Sequence, residues 1–261
     1  GMADVNSSLL YFCRKVAERH TVALSGECAD EVFGGYPWFE RSELLEADTF
    51  PWCPDLEFRR AVVKPELWES LQVEDYVQAR YQQSLAEMPA LPGEALWERR
   101  RREVGWLSLN WFMSTLLDRK DRMSMAAGLE VRVPFCDHHL VEYVWNIPWA
   151  MKAMNGQRKQ VLRDAVEGLL PEELLRRPKS PYPKTHDPLY EQLVRARLLT
   201  ILDDRDAPIH SLVDEKALRA GLLSDAGDYG KPWFGQLMAG PQMLAYLIQI
   251  NEWMSRYHLT V

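Results

Sequence analysis

The chain has 261 residues, 47% of them hydrophobic, with a formal net charge of −7 and four cysteines. A chain of this length hides about 75% of its unfolded surface, so it can build a real core, as one domain or two. The negative balance argues against a general role on nucleic acid or an anionic membrane, and no apolar run approaches membrane-spanning length. Cys13, Cys28, Cys53 and Cys136 are widely spaced and match neither a disulfide framework nor a zinc pattern. That usage, without a signal peptide, fits a reducing cytoplasm.

Asn6 or Ser7 can cap a first helix whose apolar face is Leu9, Phe12, Cys13, Val16 and Ala17. Val22-Ala23-Leu24 follows, a short apolar run ended by Ser25-Gly26, which predicts a buried strand. Glu27, Asp30 and Glu31 come within one helical turn, and Gly34-Gly35 stops that turn. Three carboxylates beyond a strand's C-terminal end lie where open α/β sheets bind ligands. The same three also suit the positive end of a helix dipole, and spacing alone does not separate the readings.

Prolines 51, 54 and 65 predict loops and short helices, and residues 66–87 are compatible with helix up to the breakers Pro89 and Pro92-Gly93. A long helix is predicted over 94–124. Within it, Arg99 to Arg102 lie between Glu98 and Glu103, which predicts a solvated face, with phosphate contact as the lesser alternative. The helix ends in Asp118-Arg119-Lys120-Asp121-Arg122, either a salt-bridged turn in solvent or a ligand-facing one. Asp137 can cap a helix carrying Leu140, Val141, Val144 and Trp145; His138 and His139 point about 100° apart, a poor metal pair. Gln157 to Leu169 predicts a further helix. Pro178, Pro181, Pro183 and Pro188 then forbid regular helix, so Lys179, Lys184 and His186 ride on an extended loop. The last helix is predicted over 241–257, with Leu244, Leu247, Ile248 and Trp253 as core candidates.

Ser25-Gly-Glu-Cys-Ala-Asp-Glu-Val-Phe-Gly-Gly-Tyr36 resembles the second signature of the asparagine synthetase family, usually Ser-Gly-Glu-Gly-x-Asp-Glu-x-Phe-Gly-Gly-Tyr. Leu129 to Asp137, Lys159 to Ala165 with Leu162-Arg163, and Arg177-Pro178-Lys179-Ser180-Pro181 agree with that family in order and spacing. Cys28 departs from the signature's usual glycine. The resemblance implies an enzyme that adenylates the aspartate side-chain carboxylate with ATP and Mg²⁺, then forms the amide with ammonia from glutamine. It further implies that Ser25 and Gly26 contact the nucleotide, Asp30 ligates Mg²⁺, Glu27 supports formation or attack of the acyl-adenylate, and Lys179 stabilises charge on the reacting groups. Arg122 borders the site by the same resemblance, with no step assigned.

The family's phosphate-binding loop, Ser-Gly-Gly-x-Asp-Ser, does not occur in these residues, nor does an N-terminal cysteine nucleophile. The expected fold is therefore a mainly α-helical piece, residues 1–261 being the C-terminal part of an α/β adenine-nucleotide-hydrolase-like (ATP pyrophosphatase) synthetase domain with one or two short strands. Alone it is expected to be inactive and, through an unpaired strand edge, prone to form a homo-oligomer. Two rivals are another amide-forming enzyme on this scaffold, of the β-lactam synthetase kind, and a non-catalytic helical binding module.

Overall fold

A computed structural model describes residues 3–54, 56–153, 156–182, 185, 187–222 and 233–261. Pro183, Lys184 and His186 lie outside the described residues. The chain divides into two compact units, one of Gly1–Ser8, Trp52–Ala79 and Pro181–Val261, the other of Leu9–Pro51 and Arg80–Ser180.

In the second unit, strand β1 (Val22–Leu24) pairs in parallel with β2 (Glu130–Arg132), in the register Ala23 opposite Val131. The sequence signals β1; β2 lies inside the Leu129–Asp137 motif, where charged residues flank Val131. β1 is not the buried strand its apolar composition suggests. Val22 is 40% and Leu24 74% exposed, because cover lies on one face alone. There Ala23 and Val131 pack with Leu9, Cys13 and Leu129 of the buried cluster under helix α1 (Ala3–Ala17). The α1 helix begins ahead of the Asn6–Ser7 cap expected, and its Phe12 is exposed while Leu9 and Cys13 are buried.

Helix α2 (Ala29–Phe33) follows β1 and sets Ala29, Val32 and Phe33 against Val144 of the His138–Trp145 helix. That helix is capped as predicted, the Asp137 carboxylate accepting from His139 N. The Sγ atoms of Cys28 and Cys136 are joined in a disulfide. The cysteine spacing shows no disulfide framework because a separation of 108 residues carries no signal in sequence, and only folding brings the Cα atoms to 6.0 Å.

The predicted long helix is Leu96–Leu107, a wide π turn at Ser108–Phe112, and Met113–Met125. Its arginines do not share one solvated face. Arg100 donates to the carbonyls of Leu45 and Ala47 and to Tyr81 Oη at 2.9 Å. Arg102 pairs with Glu94 at 2.8 Å, both side chains nearly buried. Arg99 alone of these three keeps a largely exposed side chain. The charge pattern predicts a surface face because a helix net does not show which arginines meet carbonyls from other segments.

Residues 66–87 divide into Pro65–Ser70 and Val73–Ala86 helices, broken at Gln72, whose φ is +48°. Helix formation over 157–169 is confined to Gln160–Ala165. In the first unit the Pro188–Asp203 and Gly240–Tyr257 helices pack together, burying Leu198, Leu202, Leu244 and Leu247. Trp253, expected in that core, is 57% exposed. Asp4 accepts from both Thr185 N at 2.7 Å and Thr185 Oγ1 at 2.8 Å.

Candidate active site

The signature lies where β1 ends and α2 begins. Ser25 N donates to Arg132 O at 2.9 Å, which fastens the strand end to β2. Ser25 Oγ accepts from Glu27 N at 3.3 Å. Gly26 has open space beside its α-carbon, so a ligand can approach the backbone there. The next turn needs a left-handed residue: Cys28 has φ +75°. This conformation accounts for the glycine usual at the position and gives the cysteine a strained backbone.

The two glycines that end α2 have separate reasons. Gly34 caps the helix at φ +73°, and a Cβ there would come within 2.3 Å of the Trp149 ring. Gly35 leaves room for the Asp30 carboxylate; a Cβ would lie 1.8 Å from Asp30 Oδ1.

Two of the three signature carboxylates, Glu27 and Asp30, each meet two cations. Glu27 Oε1 lies 2.9 Å from Arg119 Nη2 and 3.4 Å from Lys120 Nζ. Asp30 Oδ2 accepts from Lys179 Nζ at 2.5 Å, and Oδ1 lies 3.0 Å from Lys159 Nζ. Burial pushes the Asp30 carboxyl upward, but Lys179 and Lys159 outweigh it and hold the carboxyl below its ordinary value. Two carboxylates against four cations leave a surplus of two positive charges, suited to an anion with several oxygens. Glu27 Oε2 is buried and makes no hydrogen bond among the described residues, and Asp30 Oδ1, also buried, has the Lys159 ammonium beside it.

Behind Asp30 lies Glu31, 2% exposed. Burial pushes its carboxyl up to about 7, against the lowering effect of the Tyr36 hydroxyl, which donates to Oε1 at 2.7 Å. Lys179 Nζ sits 5.4 Å from the centre of the Tyr36 ring, a cation–π contact. The lysine is therefore held rather than solvated, with 19% of its side chain exposed. Its segment is held by Arg163, which donates to the carbonyls of Leu175 and Arg177, the latter at 3.0 Å, and also to that of Arg158 at 3.0 Å beside Lys159.

The fold thus brings Ser25, Gly26, Glu27, Asp30 and Lys179 to one place and adds Arg119, Lys120 and Lys159. Lys159 stands at φ +57°, a left-handed conformation at the start of the Gln160–Ala165 helix. Arg122 is not in this cluster; it is exposed and pairs with Asp118 at 2.8 Å. At 100° per residue it lies about 110° around the helix from the midline between Arg119 and Lys120. The alternating charges signalled a candidate segment; without tertiary structure they could not say which face meets Glu27.

Among the described residues no three His, Cys, Asp or Glu side chains converge as a metal cage. Asp30 Oδ1, buried and paired with the Lys159 ammonium, is a carboxylate oxygen of the kind that serves as one ligand of a cation whose remaining partners are phosphate oxygens and water, the usual manner of Mg²⁺. Lys159 Nζ beside it would have to move.

The site is thus a short strand ending on a carboxylate loop walled by three lysines and one arginine. The asparagine synthase family profile matches residues 1–255, and the chain belongs to that family. Over its whole length it is 50% identical to glutamine-hydrolyzing asparagine synthetase 3 of Bacillus subtilis (strain 168), covering 42% of that protein. It is 30% identical to asparagine synthetase 1 of the same organism over 214 residues, 70% of this chain and 34% of that protein. A stretch of 67 residues, 24% of this chain, is 45% identical to the Mus musculus asparagine synthetase, of which it covers 12%. The chain spans less than half the length of these relatives. Its fold is the helical portion, with two short parallel strands, of the family's adenine-nucleotide-hydrolase-like α/β domain. No helix among the described residues is long and apolar enough to cross a membrane.

Proposed function

We propose that this chain supplies part of the adenylating site of a glutamine-hydrolysing asparagine synthetase, as the C-terminal part of the synthetase domain. The whole enzyme would activate the aspartate side-chain carboxylate with ATP, release pyrophosphate, and form asparagine with ammonia from glutamine. The observation that carries the proposal is the pairing of Glu27 and Asp30 with Arg119, Lys120, Lys159 and Lys179 on the family signature.

In this reading the four cations take up phosphate charge, and Lys179 stabilises the charge that develops as the acyl phosphate bond forms and breaks. Arg163 is a positioning residue, because it holds the Lys179 segment by the Leu175 and Arg177 carbonyls and the Lys159 segment by the Arg158 carbonyl. Ser25 and the open backbone at Gly26 contact the nucleotide. Glu27 presents its free oxygen, Oε2, to the acyl centre, while Oε1 stays fixed on Arg119. Asp30 offers Oδ1 to Mg²⁺, which when bound would neutralise phosphate charge.

The test is a calorimetric titration of the chain with Mg²⁺-pyrophosphate beside its Lys159→Ala variant. Binding by the chain and a loss of about tenfold or more in the variant is expected for a lost charge-assisted contact. Equal affinity in both would remove Lys159 from the site. No binding by either would remove the phosphate reading of this cluster.

A further inference from the structure

We propose that Cys28 and Cys136 form a thiol–disulfide exchange site whose opening by a small thiol of the glutathione class releases the loop carrying Glu27 and Asp30. Cys28 stands between these two carboxylates, and its partner lies in the Pro134–Cys136 turn directly after β2. The cross-link therefore ties the loop after one strand to the loop after the other.

Cys28 is the sensitive point because it stands between Glu27 and Asp30, and the cross-link holds that stretch to the turn after β2. Any relaxation shifts Glu27 and Asp30 relative to Arg119, Lys120, Lys159 and Lys179, which come from three separate segments. The consequence for phosphate binding rests on the function proposed above; the exchange site itself does not.

Access decides the chemistry. Cys28 is 2% exposed, whereas Cys136 is partly exposed. An external thiolate therefore attacks Cys136 Sγ, forms a mixed disulfide there, and expels Cys28 as thiolate. A second thiolate attacks the external sulfur of the mixed disulfide, frees Cys136, and leaves with the first as a small disulfide. Two small thiols are oxidised, the protein disulfide gains two electrons, and their two protons pass to the protein thiolates. The two remaining cysteines, Cys13 and Cys53, are not joined to this pair.

The experiment equilibrates the chain with reduced or oxidised glutathione, then combines peptide mapping without reductant and amide hydrogen exchange. Oxidised glutathione is expected to give a Cys28–Cys136 cross-linked peptide that the reduced form removes. On reduction the amides of residues 26–33 should exchange roughly fivefold faster or more, and reoxidation should restore them. Cys136→Ser should exchange at the fast rate under both conditions. Free thiols at both Cys28 and Cys136 after oxidation, or a cross-link that leaves exchange in 26–33 unchanged, would overturn the proposal. In the same samples pyrophosphate should bind about three- to tenfold more weakly to the reduced chain, through lost preorganisation. Loop exchange that responds to redox state in a chain that binds no pyrophosphate in either form would remove the phosphate reading and leave the exchange site standing.

Discussion

Replacing Lys179 by alanine removes the closest cation from Asp30, and the cost follows from burial. Asp30 and Lys179 expose 17% and 19% of their side chains and are joined at 2.5 Å. A hydrogen bond to a charged group contributes about 1.5–3 kcal/mol, and the partial exposure and remaining Lys159 bring the expected loss to roughly 1–2 kcal/mol. For a chain of this size that is a fall in Tm of about 2–8 °C. The loss depends on pH. Asp30 has a lowered carboxyl value in the fold, so its contribution is present above the ordinary carboxylate range and is lost as pH falls through the folded value. Without Lys179, burial is opposed by Lys159 alone and the carboxyl rises. The wild type and variant should therefore differ most at pH 7 and less at pH 3. Urea unfolding at both values, beside a carbon-13 titration of the Asp30 carboxyl, measures this. Equal destabilisation at pH 7 and pH 3, or an unmoved Asp30 titration, would refute the argument.

Three further outcomes follow from the same site. Gly35→Ala should displace the Asp30 carboxylate, since the added Cβ would lie 1.8 Å from Oδ1; the Asp30 titration should move upward, and an unchanged one would mean the backbone yields instead. Glu31→Gln should flatten stability between about pH 4.5 and 7. In the wild type the stability of neutral Glu31 is present below its ordinary range and lost as pH rises to about 7, worth up to roughly 3 kcal/mol. Denaturation midpoints across that window decide it, and parallel curves would sink the claim. In the full-length enzyme, Glu27→Gln should nearly abolish ATP-dependent pyrophosphate release while circular dichroism stays unchanged; wild-type release would remove Glu27 from the mechanism.

Local chemistry is what the sequence carried by itself. The apolar triplet before Ser25-Gly26 marked β1, Asp137 marked a helix cap, and Gly34-Gly35 marked the end of α2, because each depends on residues a few positions apart. Resemblance to the family pointed to Ser25, Gly26, Glu27 and Asp30 through the signature from Ser25 to Tyr36, and to Lys179 through the Arg177–Pro181 stretch, where spacing alone left the readings open. Tertiary structure decided what depends on distant partners. Lys179 comes to Asp30 across 149 residues and Arg119 to Glu27 across 92, and only that meeting distinguishes Arg119 and Lys120 from Arg122 on one charged helix. Arg100 and Arg102 look like surface residues until the Leu45 and Ala47 carbonyls and Glu94 surround them. Cys28 reads as a tolerated substitution for glycine until its left-handed backbone and its bond to Cys136 are seen together. Burial and pairing are properties of the folded chain, and no local pattern contains the desolvation that sets them.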